Sequence, residues 1–107
     1  MEIDSTLPAP IRALPMAGSV VPAHRLAARG FEVLFVIGRA GQEVPWHHHD
    51  TENATVVVSG ETVIVSDEGE RRCGPGEWYE TRPGQRHAIR FPVDTVQIEV
   101  RFAAPHA

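Results

Sequence analysis

"ATVVVSGETVIVS", residues 54–66, sets two β-branched runs on either side of a single glycine. Val, Ile and Thr lose side-chain freedom in a helix and pack well on a pleated surface, so both runs read as strands. Gly60 supplies the positive φ that a tight hairpin turn between them requires. A second hairpin turn follows in "SDEGER" (66–71), around Gly69. The hydrophobic period in this region is two.

The same period extends outward. "FEVLFVI" (31–37) is apolar, rich in β-branched and aromatic residues, and bounded by Gly30 and Gly38. "CGPGEWYETRPGQRHAIRF" (73–91) places one strand between two Gly/Pro turns and a further strand after them. In "TVQIEVRF" (95–102), Val96, Ile98, Val100 and Phe102 share one face, and Gln97, Glu99 and Arg101 the other. About seven or eight short strands with turns roughly every ten residues predict an all-β fold, a single antiparallel barrel or jelly roll. "AHRLAARG" (23–30) has the composition of a helix but is too short to form one unaided. Residues 1–17, with prolines at 8, 10 and 15, read as an extended N-terminal arm, and residues 18–107 as the barrel domain.

A chain of 107 residues with 42% hydrophobic content holds one domain with one modest core. A formal charge of −4, with ten Arg+Lys that are all arginine, lacks the basic clusters of a nucleic-acid binder. No stretch approaches the ~18 apolar residues of a membrane helix, and the start "MEIDSTLPAP" lacks the regions of a secretory signal. A cytoplasmic protein with no membrane or nucleic-acid partner is the expectation. The single cysteine, Cys73, excludes an internal disulfide and reads as a packing residue.

"EVPWHHHDTEN" (43–53) raises the chemical question. If it is extended, alternation sets His47 and His49 on one face and Trp46 and His48 on the other. His87 begins a later strand after a Pro-Gly turn, while His24 and His106 stand apart from these segments and read as surface residues.

These residues resemble the cupin superfamily, as a small single-domain cupin. The family's first motif, Gly-x5-His-x-His-x3/4-Glu-x6-Gly, is matched by Gly41, His47, His49 and Gly60, with Asn53 at the glutamate position. The second, Gly-x5-Pro-x-Gly-x2-His-x3-Asn, is matched by Gly76, Gly84 and His87. Arg82 stands at its proline and Phe91 at its asparagine. The resemblance implies an RmlC-like barrel in which His47, His49 and His87 bind one divalent ion: iron, nickel, zinc, manganese or copper. Asn53 is then a weak ligand or a holder of bound water. Glu52 and Tyr79, with Glu77, are the nearest candidates for proton transfer.

Without a carboxylate ligand the ion keeps its full charge, which favours a small anionic ligand. Trp78, Tyr79, Ile89 and Phe91 are the expected walls of a largely apolar pocket. Arg82, Arg86, Arg90 and Arg101 are the expected partners for a carboxylate. Two readings follow. One is a metalloenzyme acting on a carboxylate- or carbonyl-bearing metabolite as oxygenase, isomerase or decarboxylase. The alternative is a ligand-binding or accessory cupin without turnover. A homodimer is also expected, with Trp46 outward and the N-terminal apolar residues Leu7, Ile11, Leu14 and Met16 lying on a neighbour's sheet.

Overall fold

The computed structural model describes residues 6–18 and 20–102. In chain order, a single helical turn α1 (Ala9–Arg12) is followed by β1 (Met16–Ala17), β2 (Ala23–Ala28), β3 (Phe31–Gly38), β4 (Glu43–His47) and β5 (Glu52–Ser59). Then come β6 (Thr62–Ser66), β7 (Gly69–Cys73), β8 (Trp78–Thr81), β9 (His87–Arg90) and β10 (Thr95–Phe102). Two antiparallel sheets form a jelly roll: a six-stranded sheet ordered β1-β2-β3-β10-β5-β8 and a four-stranded sheet ordered β4-β9-β6-β7. The hairpin expected around Gly60 is present, with φ at +87°; a Cβ there would lie 2.3 Å from the Asp94 carbonyl oxygen.

Two apolar clusters hold the layers. Val57, Ile64, Cys73, Tyr79, Ile89 and Phe91 pack between the sheets, and Cys73 is a buried free thiol as expected. Phe91 sits against Gly38, where a Cβ would meet its ring at 2.5 Å, so the small residue makes room for the large one. The second cluster lies outside the six-stranded sheet, where Leu7 and Ile11 cover Ile37 and Val96.

That second cluster corrects the reading of the N-terminus. Pro8 caps α1 and Pro10 lies in its first turn, positions where the missing N–H of proline goes unused. Leu7 and Ile11 therefore pack on the chain's own sheet rather than a neighbour's. Residues 23–28, helix-like in composition, form β2 because β3 offers a full antiparallel ladder from Ala23↔Val36 to Ala28↔Phe31. His24 on this strand is buried, with its Nδ1 3.2 Å from the Leu14 carbonyl, and is not a surface residue. His106 lies outside the described residues.

Candidate metal centre

His47 and His87 are cross-strand partners in the β4–β9 ladder. Between Val44 and His47 the register shifts, because three steps on β4 match two on β9. Such a bulge on an edge strand accommodates Pro45, which has no N–H to pair. It also resets the parity: Val44 and His47, three apart, both face the space between the sheets. His49 lies just beyond β4, where its carbonyl accepts the Gly84 N–H at 2.7 Å. That bond ties the first histidine segment to the turn preceding His87.

The three imidazoles converge. Their ring centroids are separated by 4.2 Å (His47–His87), 4.8 Å (His47–His49) and 5.5 Å (His49–His87). One ligand atom from each lies within 4.8 Å of the others. Four-coordinate binding at ~2.1 Å needs about 3.4 Å between nitrogens, so the three rings would draw together around an ion. The Nδ1 of His47 is 2.7 Å from the Pro45 carbonyl and that of His87 is 3.0 Å from the Gln85 carbonyl. Donation of Nδ1–H to those carbonyls leaves each Nε2 lone pair available to an ion. The donor set therefore fits one divalent metal. His48 is exposed on the opposite side.

Burial, followed by the positive charge of Arg101, holds the His49 pKa down to about 4. Burial also lowers that of His87, against the opposing effect of the Gln85 carbonyl. Both rings are thus neutral at neutral pH, the form that ligates. The sign of the linkage follows. An unfolded histidine takes up its proton near pH 6.5, whereas folded His49 resists until about pH 4. The metal-free protein should therefore lose stability as pH falls from 6.5 toward 4 and level off below that. The melting temperature of metal-free protein against pH checks this: His49→Gln should flatten the slope in that window, and an unchanged slope would refute the assignment.

Opposite the histidines stands a polar wall. Arg25, Glu32, Glu99 and Arg101, on β2, β3 and β10, line the same cavity of about 540 Å³. They form a chain of ion pairs: Arg25 Nε to Glu32 at 2.6 Å, Arg101 Nη1 to Glu32 at 3.6 Å, and Arg101 Nε to Glu99 at 2.7 Å. The Arg25 side chain is the most exposed of the four, at 49%, and that of Glu99 the least, at 13%. The lining is largely apolar, as expected, but this one wall is charged. Val96 and Ile98 face outward, and the polar face of β10 turns in. Two guanidinium groups balance two carboxylates, so an added cation would be the uncompensated charge.

The remaining expectations sort by face. Ile89 and Phe91 line the cavity beside His87. Tyr79 points inward and Trp78 outward, 52% exposed, so Trp78 is not a pocket wall. The Tyr79 hydroxyl donates to Gln97 Oε1 at 3.0 Å, and burial raises its pKa far above the usual phenol range. It remains neutral and is no proton acceptor. Glu52 is exposed on the outer face, and Glu77 accepts the Gly74 N–H at 2.8 Å in a turn, so neither reaches the cavity. Of the four expected arginines, Arg101 lines the cavity; Arg82 and Arg90 pair with Glu68 and Glu70 outside it, and Arg86 is exposed. Asn53 is 1% exposed, its Oδ1 accepting the Thr51 hydroxyl at 2.6 Å, while its Nδ2 has no partner among the described residues. It stands opposite Arg101 and Thr81 in the ladders, both of which line the cavity.

A search of curated protein sequences gives no match. Solved structures share the fold. A RmlC-like cupin from Shewanella frigidimarina superposes with a TM-score of 0.76 at 18% identity, covering 88% of this chain and 87% of that one. A cupin superfamily protein from Desulfitobacterium hafniense gives 0.74 at 16% identity, covering 95% and 88%. An ectoine synthase from P. lautus gives 0.71 at 20% identity, covering 85% and 69%. At such identities these likenesses establish the architecture alone. The family model for the cupin domain matches residues 33–100, a span that carries all three clustered histidines and β10 as far as Val100. The chain belongs to the cupin family.

Proposed function

We propose that this protein is a metal-dependent cupin enzyme acting on a small carboxylate- or carbonyl-bearing anion. One observation carries the reading: the histidine cluster on one sheet faces the Arg101–Glu99 ion pair on the other across a cavity of ligand size. An ion held by His47, His49 and His87 would supply Lewis acidity toward a carbonyl or carboxylate oxygen. The ligand lies between that site and Arg101, whose guanidinium grips a carboxylate through two parallel hydrogen bonds.

When the ligand takes the Arg101 guanidinium, Glu99 loses its partner beside the reacting group. Its carboxylate is then the group placed to accept a proton, a role that Tyr79 and Glu52 do not fill. Ile89 and Phe91 line the cavity beside His87, and a bound ligand would meet these polar groups next to an apolar surface, where such contacts are stronger. That a synthase shares the architecture shows only that such a barrel accommodates catalysis.

The test begins with elemental analysis of protein purified without a histidine tag or added metal. A stoichiometric ion is expected. The protein is then loaded with cobalt(II) and titrated with small carboxylates while the visible spectrum is followed. Carboxylates should perturb the spectrum, and Arg101→Met should weaken that binding at least ~10-fold, the loss of one charge-assisted pair. Absence of metal would overturn the proposal in favour of a ligand-binding module. A spectrum indifferent to anions would overturn the ligand class.

A further inference from the structure

The inward face of the six-stranded sheet is laid out in cross-strand rows. Arg101, whose charge acts on His49 and His87, stands beside Asn53 and Glu32. Glu99 stands beside Thr55 and Leu34 in the next row, and Gln97 beside Val57 and Val36 in the third. Alternate residues of a strand are ~6.7 Å apart, so Gln97 lies ~13 Å along β10 from Arg101. At that depth the two sheets are bonded together. The Gln97 Oε1 accepts the Thr62 hydroxyl, from the opposite sheet, at 2.8 Å and the Tyr79 hydroxyl at 3.0 Å. Tyr79 has the Thr55 side chain as a further hydrogen-bond partner. A carboxamide oxygen carries two lone pairs, and these two hydroxyl donors fill both. The amide is thereby held in one orientation, with Nε2 left over. That nitrogen has no partner among the described residues and is not sealed from solvent, and the space beside it is the cavity that Gln97 lines.

We propose, resting on the metal-centred reading of this cavity, that Gln97 Nε2 donates to an uncharged oxygen at the far end of the ligand, whose carboxylate end lies at the ion and Arg101. The ligand class is then a carboxylic acid with a carbonyl several carbons along an aliphatic chain. Two observations set the far group. The row of Gln97, with Val57, Val36 and Ala23, holds no charged side chain. The next inward residue of β10 is Glu99, a carboxylate paired with Arg101. A second carboxylate at the far end would lack a cation and meet an anion one row away, whereas a carbonyl oxygen needs only the one donor. Between the two ends Leu34, Val36 and Ile89 line the cavity, and a hydrocarbon chain gains from covering them. A ligand without the far oxygen leaves a buried donor unmatched, which is how a polar site rejects such an analogue.

Three series of acids titrated into cobalt(II)-loaded protein test this. They are levulinate with its two next longer methyl-keto homologues; pentanoate, hexanoate and heptanoate; and glutarate, adipate and pimelate. One keto acid should bind roughly 5- to 10-fold more tightly than the alkanoate of equal length, the worth of one hydrogen bond. Its dicarboxylate counterpart should bind no more tightly than that alkanoate. In Gln97→Met the ratio of keto acid to alkanoate affinity should fall to about one. If Gln97→Met fails to fold with the Thr62 and Tyr79 hydroxyls unmatched, combining it with Thr62→Val and Tyr79→Phe removes both partners as well. A direct readout comes from the side-chain amide resonances of zinc-loaded protein, where Gln97 stands with only Gln42, Gln85 and Asn53. The keto acid should shift the Gln97 pair relative to the alkanoate complex and leave those of Gln42 and Gln85 in place. Equal affinities for ketones and alkanoates, with the Gln97 resonances the same in both complexes, overturn the inference and leave the metal end as proposed. Tightest binding by a dicarboxylate overturns the uncharged far group. A cobalt spectrum indifferent to every acid overturns the reading of the metal end, and the inference with it.

Discussion

His49→Ala should remove stoichiometric metal, while His48→Ala leaves it in place. The two residues are neighbours in sequence, yet one is part of the three-imidazole cluster and the other is exposed. Losing one of three nitrogen donors leaves too few ligands for a divalent ion among these side chains. Removal of a mere outer partner of a ligand already costs about 10- to 100-fold in affinity. The loss for His49→Ala should therefore exceed ~100-fold, against less than ~2-fold for His48→Ala. Isothermal titration with zinc or nickel on untagged protein measures both. Circular dichroism should be unchanged in either, since His49 contributes its carbonyl, not its ring, to the bond with Gly84. If His48→Ala abolished binding instead, the strand would be slipped by one residue, because a one-residue slip exchanges the faces.

That contrast shows what a period of two can and cannot reveal. Alternation separates His47 and His49 from His48 correctly, but only over that short stretch. Counted from Val44, strict alternation would turn His47 outward; the bulge beside Pro45 restores it, and a lone proline is a weak sign of a bulge. The hairpins at Gly60 and Gly69 were legible because β-branched runs and positive-φ glycines agree there. On β10 alternation marks two faces without saying which is inside. The intuitive choice, apolar inward, fails because Arg101 and Glu99 satisfy each other, with Glu32 and Arg25 joining from β3 and β2. Buried charges are tolerated when paired, and pairing across strands is invisible along the chain. The apolar residues of β10 are in turn covered by Leu7 at one end and uncovered at the other. Residues 23–28, whose composition has some helix propensity, form a strand for a related reason: a ladder with β3 outweighs the few tenths of a kcal/mol per residue by which side chains differ in propensity.

Asn53→Asp should convert a protein that tolerates metal removal into one that depends on metal. Asn53 occupies the glutamate position of the cupin motif, is 1% exposed, and has an amide nitrogen without a partner among the described residues. A carboxylate placed there without metal would be buried, with the Thr51 hydroxyl and Arg101 across the ladder as its only relief. Arg101 is already shared between Glu32 and Glu99, so its help is divided. A buried, incompletely paired charge costs about 1–3 kcal/mol or more, which in a domain of this size lowers Tm by roughly 4–8 °C per kcal/mol. Divalent metal reverses the sign: the new charge faces a cation three neutral imidazoles leave uncompensated. The variant should bind metal roughly 10- to 100-fold more tightly, as expected of one added unit of opposite charge in a partly screened site. Small carboxylates should bind that metal correspondingly more weakly, since the site then carries one positive charge rather than two. Thermal melts in chelator and in excess metal, with an anion titration on the loaded protein, read all three effects. If Asn53→Asp lowered Tm equally in both conditions and left metal affinity unchanged, Asn53 would lie outside the reach of the ion. The amide would then serve only the β5–β10 ladder.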